Sequence, residues 1–303
     1  MRTLQDIRAW AVHAQPVFIC GLERSGTSIL QVSFSRHPQL FPVKDVYETF
    51  IFANPRSALE VRAPAMTKAY LQGDEHAKRF RELCAGLRVG NAELSEADII
   101  RAFFWYCAHQ VYPGRQPLEK TPSHVRRLAR MLEIFPRARV IVCTRDPVDV
   151  VASYRKRLKK EQSLGRSRDE WGWLDRTAEQ LLAHFHTVSE HISAARQRWP
   201  EQVFVAPYAW ITNDPETAMR RLCEFAGLPF VDAVLKPQEV PDRKVDEMLS
   251  RPISKRASES DQFVDAQTQA MIRQQMAKQM PLWDTPGTST GIAAPGAIIA
   301  GGG

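Results

Sequence analysis

The sequence predicts an α/β fold in three layers, α/β/α, around a central and mostly parallel sheet. Two observations carry that prediction. Residues 16–20, 139–144 and 202–206 are short apolar runs of strand length, and each is followed by a segment with helical signals. Apolar strands that alternate with helices indicate a parallel sheet covered on both faces. The composition agrees: 303 residues, 44% hydrophobic and 25% charged, suit a globular chain with a sizeable core. They exclude a disordered, a collagen-like and a disulfide-dense chain.

In chain order, the first strand at 16–20 is broken by Gly21–Gly26, and a helix is expected from Thr27 to about His37, where Pro38 stops it. Residues 45–110 are expected to be mainly helical and are rich in aromatics: Tyr47, Phe50 and Phe52, then Phe103, Phe104, Trp105 and Tyr106. An Arg-rich helix is expected over 123–135, before the strand at 139–144. Asp146 caps the next helix with Pro147 in its first position, and that helix runs to about residue 160. A long helix over 175–199, the strand at 202–206, a helix over 215–226 capped by Asp214 and a polar helix around 261–279 complete the list.

The cysteines Cys20, Cys84, Cys107, Cys143 and Cys223 are odd in number and have no metal-ligand spacing, which points to buried thiols in a reducing compartment. No signal peptide or membrane span is visible, so a cytoplasmic protein is expected. The stretch 285–303 holds no charged side chain and ends in glycines, as a flexible tail does. The net charge of +7 implies an anionic partner. Residues 120–168 hold 14 Lys+Arg against 4 Asp+Glu, so the basicity is local. A nucleic-acid footprint would interleave such charges with stacking aromatics, and the stretch 154–160 offers only Tyr154.

The first strand–helix junction reads Gly21-Leu22-Glu23-Arg24-Ser25-Gly26-Thr27-Ser28. This is the G-x-x-x-x-G frame of a P-loop-type phosphate site. Glycines let backbone N–H groups converge on one point, and the helix N-terminus adds partial positive charge. Arg24 adds a full charge, and Thr27 and Ser28 add hydroxyls. Thr27 stands where an ATPase or GTPase carries its lysine, and Arg145 stands at a strand end where a Mg²⁺-binding carboxylate is expected. Both departures favour protein cations over a metal and weaken the alternative of a P-loop kinase or NTPase using ATP and Mg²⁺. Arg145 also lies where open α/β sheets bind ligands, and Ser153 shares a helix face with Asp146 and Asp149. Arg145 and Ser153 together form a candidate second anion site.

Four runs then carry a family resemblance. Residues 18–38 with Arg-Ser-Gly-Thr-Ser, Glu119-Lys120-Thr121-Pro122-Ser123-His124, RDPVDVVASY at 145–154, and residues 203–230 appear in order over about residues 15–230. They resemble sulfotransferases that use 3'-phosphoadenosine 5'-phosphosulfate, with the pattern of tyrosylprotein, heparan and related bacterial enzymes. The resemblance implies a single domain over 1–284, with a helical acceptor-side insertion at about 45–115. It implies that Arg24, Ser25, Gly26, Thr27 and Ser28 hold the 5'-phosphosulfate end, that Arg145 and Ser153 bind the 3'-phosphate, and that Tyr208 lies near the adenine. Lys120, with Arg24, would stabilise charge on the departing oxygen without a metal. The acceptor would present a hydroxyl on a small molecule, lipid or glycan.

Two features depart from the pattern. The usual tyrosine-acidic-acidic sequence reads Tyr208-Ala209-Trp210, and the C-terminal glycine-rich phosphate motif of the aryl and steroid enzymes is absent. Ser254, Lys255 and Arg256 are candidates to replace it, with a solvated basic turn as the plainer reading. Attack by a hydroxyl needs a base. Glu48, in Glu48-Thr49, matches the family position, and Asp45 and His124 are the rivals. His124 otherwise reads as a surface residue at a helix start, and His184, His186 and His191 read as ordinary helix residues.

Overall fold

The computed structural model describes residues 3–42, 48–55, 70–87, 93–239, 252–255 and 257–288. Four parallel strands form the central sheet: β1 (Val17–Gly21), β2 (Leu118–Lys120), β3 (Arg139–Thr144) and β4 (Val203–Pro207), in the order β2-β1-β3-β4. The architecture is α/β, with helices flanking a parallel sheet. β1 and β4 are buried throughout, and β3 is buried beyond Arg139. Their side chains face covering elements on both sides, so they read as unbroken apolar runs.

β2 is different. Its three residues are Leu118, Glu119 and Lys120, all buried, and they pair with Val17, Phe18 and Ile19. A search for apolar runs has no means of finding a strand that is two-thirds charged. The same pairing sets Lys120 beside the end of β1, next to the glycine loop.

The helices follow capping chemistry closely. The first, α1 (Leu4–His13), precedes every element expected from the sequence. Thr3 and Asp6 form a reciprocal capping box at its start, a signal present in the sequence as Thr-x-x-Asp. α2 (Thr27–Phe34) follows the glycine loop. In the region expected to be mainly helical, residues 48–54 are coil and turn, and the helices are α3 (Asp74–Gly86) and α4 (Glu96–Tyr106), the latter running into a π-turn at Cys107–Val111.

The Arg-rich segment is a 3₁₀ helix, Pro122–Arg127, continued by α5 (Leu128–Ile134). In α6 (Pro147–Ser163) Asp146 accepts hydrogen bonds from Val148 N (2.8 Å) and Asp149 N (3.1 Å), as its capping role requires. The long helix is α7 (Ala178–Arg198). A short helix, α8 (Tyr208–Asn213), leaves β4 before Asp214 caps α9 (Pro215–Phe225). The polar helix expected around 261–279 is split into Ser260–Phe263 and α10 (Ala266–Met276), because Asp265 caps the second piece.

Phe18 on β1 centres an aromatic core, with ring centroids 5.0 Å from Phe52 and 5.6 Å from Phe104. Phe103, Phe104, Trp105 and Tyr106 are all buried and belong to that core. The boundary of the expected tail also moves. Gly287 and Val205 exchange two 3.0 Å backbone hydrogen bonds, so residues 285–288 are pinned to β4, and the remainder of that stretch lies outside the described residues. Among the described residues, no helix is long and apolar enough to cross a membrane.

Candidate active site

The glycine loop closes between β1 and α2. At Gly21 (φ 138°) a Cβ would stand 2.1 Å from the Cys143 carbonyl oxygen on β3, so the loop can leave the sheet there only without a side chain. Arg24 adopts φ 70°, a left-handed conformation uncommon for arginine, and Gly26 (φ 97°) stands at the N-cap of α2 with no side-chain cap. The helix N-terminus is thus left open toward the loop.

A cleft of about 110 Å³ opens over this N-terminus. Arg24, Gly26, Thr27, Ser28, Arg145, Ser153 and Tyr208, all singled out in the sequence, line it. Arg24 Nε donates to Ser153 Oγ (3.1 Å), which joins the loop to α6. Arg145 donates to the Arg24 carbonyl (3.3 Å) and sits 3.6 Å from the Asp149 carboxylate. Its guanidinium carbon lies 4.7 Å from the centre of the Tyr208 ring. The same ring presses on Gly26, where a Cβ would meet Tyr208 Cδ2 at 2.6 Å. Tyr208 is therefore held without acidic residues at 209 and 210.

Arg145 Nε is buried and has no hydrogen-bond partner. A buried guanidinium N–H left unsatisfied is costly, and an anionic ligand would relieve it. Ser254 also lines the cleft, with Ile29, Thr212, Pro252 and Ile253, whose identities carry no sequence signal. Lys255 is exposed, and Arg256 lies outside the described residues.

Ser25 departs from expectation. It is fully buried, and its hydroxyl donates to the Leu22 carbonyl (2.5 Å) and lies 3.1 Å from the Cys143 carbonyl. Its N–H also donates to Leu22 O (3.3 Å). Ser25 is a brace between the loop and β3, with its O–H and N–H donors both spent on backbone carbonyls.

Lys120 and Glu48 meet at the edge of the sheet. Lys120 is completely buried, and its Nζ stands 3.0 Å from Glu48 Oε1, whose side chain is 36% exposed. Burying an ammonium is tolerable only beside such a partner. Asp45 lies outside the described residues. His124 is neither a surface residue nor a base. It is fully buried, its Nδ1 lies 3.1 Å from Glu119 Oε2, and its Nε2 accepts the Phe52 N–H (3.3 Å). Both ring nitrogens are engaged, so none is available to take a proton from an acceptor.

A second histidine acquires a role that sequence reasoning missed. His184 on α7 is buried between Arg126 and Glu23, 3.3 Å from the Glu23 carboxylate. Tyr154 donates to the same oxygen (3.3 Å). Burial pushes the Glu23 carboxyl up, but the hydrogen bond from His184 and the nearby Arg126 charge hold it below its ordinary value. Glu23 therefore braces the loop from behind, one residue before Arg24.

A sequence model described as the sulfotransferase family matches residues 16–232. A protein-tyrosine sulfotransferase of Drosophila melanogaster is 23% identical over 249 residues, covering 82% of this chain and 44% of that protein. An uncharacterized protein of Aquifex aeolicus is 24% identical over 230 residues, covering 73% of this chain and 26% of its own length. The chain thus spans less than half the length of these curated relatives.

Two solved structures share the fold, each with a TM-score of 0.54. The sulfotransferase domain of the curacin biosynthetic pathway is 16% identical, covering 87% of this chain and 98% of that one. The sulfotransferase domain of the Synechococcus PCC 7002 olefin synthase is 20% identical, covering 88% and 96%. With its glycine loop, paired arginines and buried lysine set on the same sheet, the chain belongs to the sulfotransferase family.

Proposed function

We propose that this chain transfers a sulfuryl group from 3'-phosphoadenosine 5'-phosphosulfate to a hydroxyl of an acceptor. The observation that carries the reading is the cleft over α2, where two arginines, a serine and a tyrosine converge and one buried guanidinium N–H has no partner. That set fits an anionic nucleotide with an aromatic base. The loop from Arg24 to Ser28 takes the 5' end through Arg24, the Thr27 and Ser28 hydroxyls and the open helix N-terminus. Arg145 and Ser153 take the 3'-phosphate, and the Tyr208 ring lies beside the base.

The donor supplies a sulfuryl group on a phosphate leaving group. Glu48 accepts the acceptor's hydroxyl proton as the new O–S bond forms. Lys120 and Arg24 offset the negative charge that builds on the oxygen leaving with the phosphate, which keeps the electron pair of the broken S–O bond. Lys120 Nζ and Glu48 Oε1, 3.0 Å apart, lie close enough to act on one acceptor.

A thermal-shift comparison tests the reading. Adenosine 3',5'-bisphosphate is expected to stabilise the protein strongly and without metal, 5'-AMP weakly, and ATP with Mg²⁺ no more than 5'-AMP. Stronger stabilisation by ATP with Mg²⁺ would overturn it in favour of a P-loop kinase or NTPase.

A further inference from the structure

Glu119 is a charged residue in the middle of a buried strand, and no part of the mechanism above uses it. We propose that Glu119 is a positioning residue: its carboxylate ties the segment that bears Glu48 to the strand end that bears Lys120. The proposal rests on Glu48 acting as the base.

Three donors surround the carboxylate. Oε1 accepts from the Thr49 hydroxyl (2.7 Å) and the Thr121 hydroxyl (2.6 Å), and Oε2 faces His124 Nδ1 (3.1 Å). Thr49 directly follows Glu48, and Thr121 directly follows Lys120. One carboxylate oxygen thus receives the neighbours of both members of the pair. The two neighbours also bond to each other, since Thr49 N–H donates to Thr121 Oγ1 (3.0 Å).

The tie matters because nothing regular holds Glu48. Residues 48–50 lie in no helix or strand, and Phe50 has φ 54°. The turn that follows is fastened by Ile51 N–H to Thr49 Oγ1 (3.2 Å) and by Phe52 N–H to His124 Nε2 (3.3 Å). That last bond leaves the ring proton on Nδ1, directed at Glu119. These bonds at residues 49, 51 and 52 lead back to Glu119, directly or through one side chain. Burial pushes the Glu119 carboxyl up, but His124 and the two threonine hydroxyls outweigh it and keep it ionised. A buried carboxylate is a costly way to fill space, and an apolar residue would serve packing better.

Thr49→Val is the informative variant, because it keeps the shape and removes one hydroxyl. Glu119→Gln is its companion. With p-nitrophenol as probe acceptor, both are expected to lower kcat by about 10- to 100-fold, as small misplacements of a reacting group do. Affinity for adenosine 3',5'-bisphosphate should stay within about twofold, and Thr49→Ser should keep most of the activity. In a Glu48→Gln background Thr49→Val should add less than about twofold, because it acts through Glu48.

An acceptor-independent readout is amide hydrogen exchange with the bisphosphate bound. Exchange over residues 48–53 should quicken about tenfold or more in Thr49→Val while β3 stays protected. Full kcat in Thr49→Val, parallel loss of kcat and bisphosphate affinity, or unchanged exchange over 48–53 would overturn the positioning role. An inactive Glu48→Gln beside a fully active Thr49→Val would overturn it alone. A fully active Glu48→Gln would overturn the base assignment and the positioning role with it.

Discussion

At the scale of single residues, the cleft depends on contacts between positions far apart in the chain. Tyr208 packs on Gly26 and against the Arg145 guanidinium, so one ring touches both the glycine loop and the residue that follows β3. Arg145 keeps one N–H without a partner. Replacing it with alanine should therefore cost the bisphosphate about 10- to 100-fold in affinity, the worth of a charge-assisted hydrogen bond or two. The affinity for 5'-AMP should change little. Calorimetric titration of both nucleotides checks this, and equal losses would remove the 3'-phosphate assignment. Ser25 marks the limit of sequence reading at this scale. Its place in the motif is legible, but the direction of its hydroxyl depends on the Cys143 carbonyl of the neighbouring strand.

At the scale of elements, the N-terminal helix is attached by a compact ionic cluster. Asp98 on α4 is almost fully buried, and Arg8 of α1 grips it through two hydrogen bonds of 2.9 and 2.6 Å. Ser95 and Arg101 add bonds from its own helix (2.7 and 3.0 Å). The Arg8 hydrogen bond outweighs burial and lowers the Asp98 carboxyl to about 2. A lowered carboxylate stabilises the fold above its unfolded value near pH 4 and loses that contribution as pH falls toward 2. Arg8 is half-exposed, so screening trims the effect. Asp98→Asn should cost about 1–2 kcal/mol at pH 7. Urea unfolding should show the gap to the unchanged protein narrowing between pH 4 and pH 2. A gap independent of pH would mean that packing, not charge, joins α1 to α4.

At the scale of the whole molecule, the sheet and its aromatic core exclude solvent from most of the reactive sulfur. Cys20, Cys107, Cys143 and Cys223 are buried, and Cys84 is partly exposed. Burial raises the thiols of Cys20, Cys107 and Cys143 well above their ordinary value and that of Cys223 to about 11. Because the thiolate is the nucleophile, a thiol reagent should label Cys84 promptly in the native state and the other four only on unfolding. Mass spectrometry of the labelled protein checks this. Prompt labelling of Cys20 or Cys143 would mean that the central strands open readily.

The sequence alone was enough to identify three of the four strands of the described sheet, the starts of α2, α6 and α9, and the glycine loop. These features are local: a strand buried on both faces is an apolar run, a cap is one side chain bonding two or three residues ahead, and a glycine loop needs only its own dihedral freedom. The loop, Arg145, Ser153, Lys120 and Glu48 were legible because their motifs are short and ordered along the chain. Only the tertiary structure decided what those residues touch. It showed that Glu-Lys in a three-residue strand is buried, that His124 is spent on Glu119 and Phe52, that His184 braces Glu23, and that Ser25 faces backbone. Each of these depends on where a second segment passes, and hydrogen-bond partners separated by 70 or more residues leave no period or spacing in the sequence.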